Sequence, residues 1–305
     1  MRESANLHAE KSCRRIWVML LIVPMVLVLS PAVAFAAIFR RLPPPDLGSS
    51  VRYTDLDPQQ FPRFDVRFPS GGNMLFGSWF PRENSAGTVL IAHGMGSSGE
   101  AHLPETLFFL QHGFSVFTYD ATGMGRSEGK NMVGLSQSKQ DVISAAKYLQ
   151  QRGYPQPLYL YGHSMGGYGV LAALPEISAR AAVCLNGFRT PIGLMHLSAR
   201  RYVGFLADMV YPLLCLQNRF RFGRYGNTDA LSAAGEAKIP VMIFNGQEDS
   251  LIPEKVKLHF EDGISDTINF TTVDGGHTGI WLSKEGGQLN EGLMNKILGF
   301  YLSTT

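Results

Sequence analysis

Gly162-His163-Ser164-Met165-Gly166 lies directly after the apolar run Pro157-Leu158-Tyr159-Leu160-Tyr161 and leads straight into Gly167-Tyr168-Gly169-Val170-Leu171-Ala172-Ala173-Leu174. The first run reads as a buried strand and the last as a helix, so a serine stands at the apex of a strand–turn–helix. Such a turn forces a strained backbone on the serine, and only small residues two positions to either side let the flanking chain pass. Gly162 and Gly166 supply that room. The strain lifts the hydroxyl clear of the sheet and aims the next backbone N–H at the same spot. A G-x-S-x-G alone is a weak pattern, since a glycine-rich turn can hold a serine by chance. Bounded by a buried-type strand and a helix, it is far more specific.

A hydroxyl is a poor nucleophile at neutral pH and needs a base that is itself held in place. Downstream, Ile239-Pro240-Val241-Met242-Ile243-Phe244-Asn245-Gly246 reads as a strand and runs into Gln247-Glu248-Asp249. Ile268-Asn269-Phe270-Thr271-Thr272-Val273 reads as another and is followed by Asp274-Gly275-Gly276-His277. An acid and a histidine thus each lie just past the C-terminal end of a strand, the edge where sites assemble in parallel sheets. These residues give the expectation of a catalytic triad: Ser164 as nucleophile, His277 as base and Asp249 as its orienting acid. Asp249 read alone is also a turn residue or helix cap, and His277 alone a loop histidine. Glu248 and Asp274 are the rival acids: Glu248 is adjacent to Asp249 and points elsewhere, and Asp274 is too near His277 along the chain to reach around it.

Upstream, the strand Gly87-Thr88-Val89-Leu90-Ile91-Ala92 is followed by His93-Gly94-Met95-Gly96. An oxyanion hole takes one N–H from the loop after the third strand and one from the residue after the nucleophile. The expected donors are the main-chain N–H groups of Met95 and Met165.

With these residues in order, the chain from about residue 64 to 303 resembles the α/β-hydrolase superfamily. Its pattern is similar to the serine aminopeptidase-like and monoacylglycerol-lipase-like branch. The matching segments are His93-Gly94-Met95-Gly96, the stretch from Tyr119-Asp120 to Gly129, Gly162 to Gly167, Gly246 to Asp249 with Ile252-Pro253, and Gly275-Gly276-His277. Asp120 reads as structural there, a turn residue. The resemblance implies an α/β fold, a mostly parallel sheet with helices on both faces. It does not fix the substrate, because this fold hosts many chemistries. Serine at the elbow, where haloalkane dehalogenases and epoxide hydrolases carry aspartate, disfavours those two.

The chain has 305 residues, 45% of them hydrophobic, enough for one domain of this fold plus an extra segment. A net charge of +2 and the lack of a basic–aromatic strip argue against nucleic acid as a partner. Cys13, Cys184 and Cys215 have no metal-type spacing, and the expected triad mechanism needs neither metal nor cofactor. A Cys184–Cys215 disulfide stays open.

Residues 16–38 are apolar and carry no charge, with Arg14 and Arg15 before them and Arg40 and Arg41 after. That is close to the roughly 20 residues a bilayer core requires of a helix. Two readings compete. One is an uncleaved signal anchor behind a basic tail, residues 1–15. The other is a cleaved signal peptide ending at the small-x-small Ala34-Phe35-Ala36. The run is long for a signal peptide, which favours the anchor, with the domain outside the cytoplasm. Residues 39–63, with Leu42-Pro43-Pro44-Pro45, read as a stiff linker, and 64–305 as the domain.

Within the domain, strands are expected at 64–69, 74–80, 88–92, 114–119, 158–162, 181–186, 240–245 and 268–273. Helices are expected near 101–112, 136–151, 165–175, 228–236, 254–261 and 288–301. Residues 188–227 break this rhythm and are both apolar and basic: six arginines face only Asp208. They read as a lid insertion that forms an acyl-chain pocket and sits against anionic head groups. An amphipathic helix pair packed on the core is the plainer reading. Together these features point to a membrane-anchored serine hydrolase acting on the carboxylic ester of an apolar or lipid-like substrate. A thioesterase or a serine aminopeptidase is the nearest enzymatic alternative, and a non-catalytic binding protein the alternative of another class.

Overall fold

A computed structural model describes residues 39–41, 52–260, 265–280 and 288–304. Residues 16–38, expected as a membrane anchor, lie outside the described residues. Among those described, no helix is long and apolar enough to cross a membrane.

Eight strands form one sheet: β1 (Phe64–Ser70), β2 (Asn73–Phe80), β3 (Thr88–Ala92), β4 (Ser115–Asp120), β5 (Leu158–His163), β6 (Ala181–Leu185), β7 (Val241–Gly246) and β8 (Ile268–Val273). Their order is β1-β2-β4-β3-β5-β6-β7-β8. β2 pairs antiparallel with β1 and β4, and every other pair is parallel. β3, β4, β5 and β6 are buried along their whole length, as strands covered on both faces must be.

Side chains alternate between the two faces. On β5, Leu158 and Leu160 enter one apolar cluster while Tyr159 and Tyr161 enter the other. The first cluster is closed by helices α2 (Gln137–Gln151), α3 (Met165–Ala173) and α6 (Ala230–Ala237). The second is closed by α1 (Leu103–Gln111) and α7 (Glu291–Leu302). Tyr301 of α7 donates its hydroxyl to the Leu160 carbonyl at 2.7 Å, satisfying a buried polar group inside that layer.

Over its described part, residues 254–260, the helix expected near 254–261 does not form. Glu254–Val256 makes a single 3-10 turn, and Lys257 after it is extended. The backbone here is taken by distant partners: Lys257 bridges to Phe188, and Asn245 donates its amide to the Leu258 carbonyl at 2.6 Å.

Residues 188–227 fold into two helices, α4 (Pro191–Val203) and α5 (Leu206–Phe222), ending at the left-handed glycines Gly204 and Gly223. Thr190 caps α4 and Pro191 takes its first position. Leu194, Met195 and Leu197 of α4 pack on the core. His196 of α4 meets Asp208 of α5 at 2.7 Å, tying the helices together. α5 turns Leu206, Met209, Leu216 and Phe220 outward, at 51%, 58%, 50% and 82% exposure. The expected charge picture also changes. Arg200 meets Asp208, but Arg189 pairs with Asp229 and Arg224 with Glu176, both outside the segment.

The described ends of the expected linker are seated on the domain. Phe39 is 1% exposed, and Met132 donates its N–H to the Phe39 carbonyl at 2.9 Å. Arg41 donates to the carbonyls of Ser127 and Gly129, each at 3.0 Å. Tyr53 is buried, with its hydroxyl 3.1 Å from that of Thr118.

Candidate active site

β5 ends at His163, and Ser164 follows with φ 53° and ψ −115°, a conformation a side chain rarely adopts. Its N–H is taken by the Leu185 carbonyl of β6 at 2.8 Å. The glycines around it are sterically required. A Cβ at Gly162 would stand 2.5 Å from the Gly166 carbonyl oxygen, and one at Gly166 would stand 2.0 Å from the Ala92 carbonyl oxygen. The crossing of helix and strand therefore passes through two positions with no side chain.

The three residues expected as a triad meet. Ser164 Oγ lies 2.8 Å from His277 Nε2, and His277 Nδ1 lies 2.8 Å from Asp249 Oδ2. A carboxylate only accepts, so Nδ1 carries the ring proton and Nε2 is free to accept from the hydroxyl. Asp249 and Ser164 are buried and His277 is half-buried. Burial alone would raise the Asp249 carboxyl. The His277 ring and the N–H groups of Ile252 and Leu251 outweigh it and hold the carboxyl below its ordinary range. The rival acids Glu248 and Asp274 are both exposed.

Met165 is the first residue of α3, so its N–H is among those a helix start leaves without an intrahelical acceptor. The loop after β3 runs beside the serine: a Cβ at Gly94 would stand 3.3 Å from Ser164 Cβ, and Met95 follows. Main chain from two segments thus flanks Ser164, with the positive end of a helix on one side.

Three polar residues of the site had no role assigned by the sequence. His93 Nδ1 donates to the Gly94 carbonyl at 2.7 Å, and its Nε2 accepts the Ala121 N–H at 2.9 Å. It ties the Met95 loop to the end of β4, and burial pushes its imidazole down to about 4. His163 and Asn186 both reach the main chain of His277. Asp120 is structural, as read: its two oxygens accept the N–H groups of Gly99 and Arg126, each at 2.8 Å. Cys184 and Cys215 are free thiols. Among the described residues, no group of three or more His, Cys, Asp or Glu is arranged to hold a metal ion.

A family model described as serine aminopeptidase, S33, matches residues 83–219, from the strand before the Met95 loop through the elbow into α5. The strand order and the elbow geometry agree with it. The fold is that of the α/β hydrolases. Among relatives of this chain, an uncharacterized protein of Escherichia coli is 24% identical over 243 residues, 76% of this chain and 80% of its own. An uncharacterized membrane protein of Saccharomyces cerevisiae is 28% identical over 179 residues, 56% of this chain and 57% of its own. The lysophosphatidylserine lipase of Danio rerio is 28% identical over 193 residues, 57% of this chain and 47% of its own. The chain therefore spans only about half the length of the last two. A solved esterase of Pyrococcus furiosus superposes with a TM-score of 0.61 at 20% identity, covering 87% of this chain and 98% of that one. That likeness concerns the fold.

Proposed function

We propose that this α/β hydrolase is a serine hydrolase that cleaves the carboxylic ester of an apolar or lipid-like substrate. The observation that carries the reading is the line of two 2.8 Å contacts from Asp249 through His277 to Ser164. Ser164 Oγ attacks the acyl carbonyl while His277 Nε2 takes its proton. The N–H groups of Met95 and Met165 hold the tetrahedral oxyanion. Collapse breaks the ester bond, and His277 returns the proton to the departing alcohol. His277 then deprotonates a water, which attacks the acyl-serine and releases the acid. Asp249, kept anionic, holds the imidazole in the useful tautomer and stabilises the imidazolium.

The lipid-like substrate is supported by the outward apolar face of α5 and by the lipase and esterase names among the relatives. In this reading residues 188–227 are a lid whose apolar face meets lipid, and its arginines suit anionic head groups. α4 reaches the acid loop, where Arg201 donates to the Ser250 carbonyl at 2.9 Å.

Residues 16–38 form the membrane anchor in the same reading, with the domain outside the cytoplasm. Their lack of charge, their basic flanks and the name of the yeast relative support it. The seating of Phe39 adds to this. Phe39 is fixed to Met132, and Arg221 of α5 donates to the carbonyl of the next residue, Val133, at 3.2 Å. One loop therefore holds both the start of the domain and the end of the apolar helix.

Two measurements test the reading. Labelling by a fluorophosphonate probe that disappears in Ser164→Ala is expected, and labelling that survives would exclude the mechanism. Nitrophenyl esters of rising chain length are expected to be better substrates than thioesters or aminoacyl amides. A preference for the amides would make the protein an aminopeptidase, and inertness towards probe and substrates alike would leave a binding protein.

A further inference from the structure

His277 is held by its side chain at Asp249, and its main chain is held as well. The His277 carbonyl oxygen accepts two hydrogen bonds, from His163 Nε2 at 3.0 Å and from Asn186 Nδ2 at 2.9 Å. Asn186 Nδ2 also lies 3.2 Å from the Gly276 carbonyl, and Asn186 Oδ1 accepts the Gly246 N–H at 2.7 Å. Both donors are buried. His163 is the residue before Ser164, Asn186 is the first residue after β6, and Gly246 closes β7 three residues before Asp249. The strand ends that carry the nucleophile and the acid are thereby joined to the backbone of the base.

The loop needs such support. Asp274-Gly275-Gly276-His277-Thr278-Gly279 holds three glycines in six residues and forms no helix or strand. Glycine loses more backbone freedom on ordering than any other residue. Nothing in the loop's own propensity fixes an imidazole to within a few tenths of an ångström. Asn186 is itself in the left-handed region, with φ 46°. Asparagine tolerates that region better than most side chains, and a strained residue persists where its surroundings over-determine it.

We propose that His163 and Asn186 are positioning residues, a two-point clamp on the His277 main chain that sets the approach of the imidazole to Ser164. The proposal rests on the triad reading. Neither residue touches the reacting atoms. A carbonyl only accepts, so His163 Nε2 carries the proton. Burial, with His277 and His102 nearby, holds the His163 imidazole far below its ordinary range. The ring therefore stays neutral, keeps one tautomer and does not compete with His277 as a base.

The test uses the full chain and four variants. His163→Leu removes the donor at similar volume, and His163→Gln restores an amide N–H near the Nε2 position. Asn186→Asp keeps the shape and removes the Nδ2 donor. Ser164→Ala reports on the triad itself. His163→Leu and Asn186→Asp are each expected to lower kcat by roughly 10- to 100-fold, as small misplacements of a catalytic group do. KM should stay within about twofold, since the clamp does not touch substrate. His163→Gln should recover most of the loss. In the Ser164→Ala background, the low-field proton resonance of His277 Nδ1–H should remain, then shift or broaden when His163→Leu is added. Should His163→Leu fail to unfold cooperatively, the contrast between His163→Gln and Asn186→Asp carries the same information. An unchanged kcat in both donor-removing variants would overturn the clamp, as would a rise in KM alone or a His163→Gln no better than His163→Leu. Full turnover in Ser164→Ala would instead bring down the triad, and the clamp with it.

Discussion

Asp249 divides its two oxygens between His277 and its own chain. Oδ2 lies 2.8 Å from His277 Nδ1, and Oδ1 accepts the N–H groups of Leu251 and Ile252 at 2.9 and 3.2 Å. The acid is locked in place before it acts on the histidine. An amide in its place keeps the shape but offers His277 the wrong tautomer. Asp249→Asn should lower kcat by roughly 10⁴ while leaving the melting temperature close to that of the parent. Steady-state kinetics beside a thermal scan decides it, and near-normal turnover removes Asp249 from the mechanism.

The elbow depends on a contact that has no room for an atom. A Cβ at Gly166 would stand 2.0 Å from the Ala92 carbonyl oxygen, which belongs to the end of β3. Gly166→Ala should therefore destabilise the fold by about 1–3 kcal/mol, the usual range for overpacking. It should also slow labelling of Ser164, because α3 must back away from the sheet. Equal melting temperatures and labelling rates would show that the crossing is looser than described.

Stability should fall with acid in a defined window. His93 is buried neutral, with a folded value near 4 against an ordinary 6.5. Between those values the unfolded chain binds a proton that the fold refuses, so stability is intact above about pH 6.5 and is lost as pH falls towards 4. His163 is shifted in the same direction by burial. Urea midpoints of the parent should decline across the window, and His93→Gln should flatten the slope by up to one proton. A parallel slope in the variant would mean that His93 is solvated.

The lipid-like reading makes a quantitative claim. Each buried methylene is worth about 0.8 kcal/mol, or roughly fourfold in kcat/KM. The constant should climb by orders of magnitude from two-carbon to eight-carbon acyl esters until the site is full. Replacing Leu206, Met209, Leu216 and Phe220 together by serine should weaken activity on anionic vesicles and spare short soluble esters. Added salt should weaken the vesicle activity of the parent, since exposed charges are screened within about a nanometre. A flat chain-length series would favour a small-ester enzyme or a peptidase.

The anchor is tested separately. Carbonate washing should leave the full chain in the membrane pellet, and external protease should reach the domain in intact cells. A soluble protein beginning near Ala37 would establish cleavage instead.

What the sequence disclosed and what it hid divide along physical lines. Strand ends and the Ser164 elbow were legible because their signals are local: an apolar run, a glycine at fixed offset, a polar residue at the edge. The meeting of Ser164, His277 and Asp249 followed from chain order once the strands were placed. The end of the turn at Val256 was not legible, because Phe188 and Asn245 capture Lys257 and Leu258 from elsewhere. The prolines at 43–45, read as a stiff spacer, lie outside the described residues; on either side of them, the burial of Phe39 and Tyr53 depends on surfaces built by β4 and the loop beyond it, which no local signal announces. Asp229 and Glu176 lie outside the segment whose arginines they neutralise. His163 and Asn186 donate to backbone carbonyls, and a carbonyl leaves no trace in composition.

Phe39 stands one residue beyond the expected anchor, residues 16–38, and it is already inside the fold. Successive Cα atoms are about 3.8 Å apart, so an anchor ending at residue 38 would leave the domain almost no leash. A body held that tightly cannot sweep the aqueous volume around it. Its encounters would be with molecules moving in the adjacent leaflet, and its search for substrate would run in two dimensions. Arg40, bridged to Asn131, and Arg41, fastened to the turn after β4, would then fix the angle at which the domain meets that plane. Inserting a flexible stretch between residues 38 and 39 would return the enzyme to three-dimensional search, with every catalytic atom unchanged.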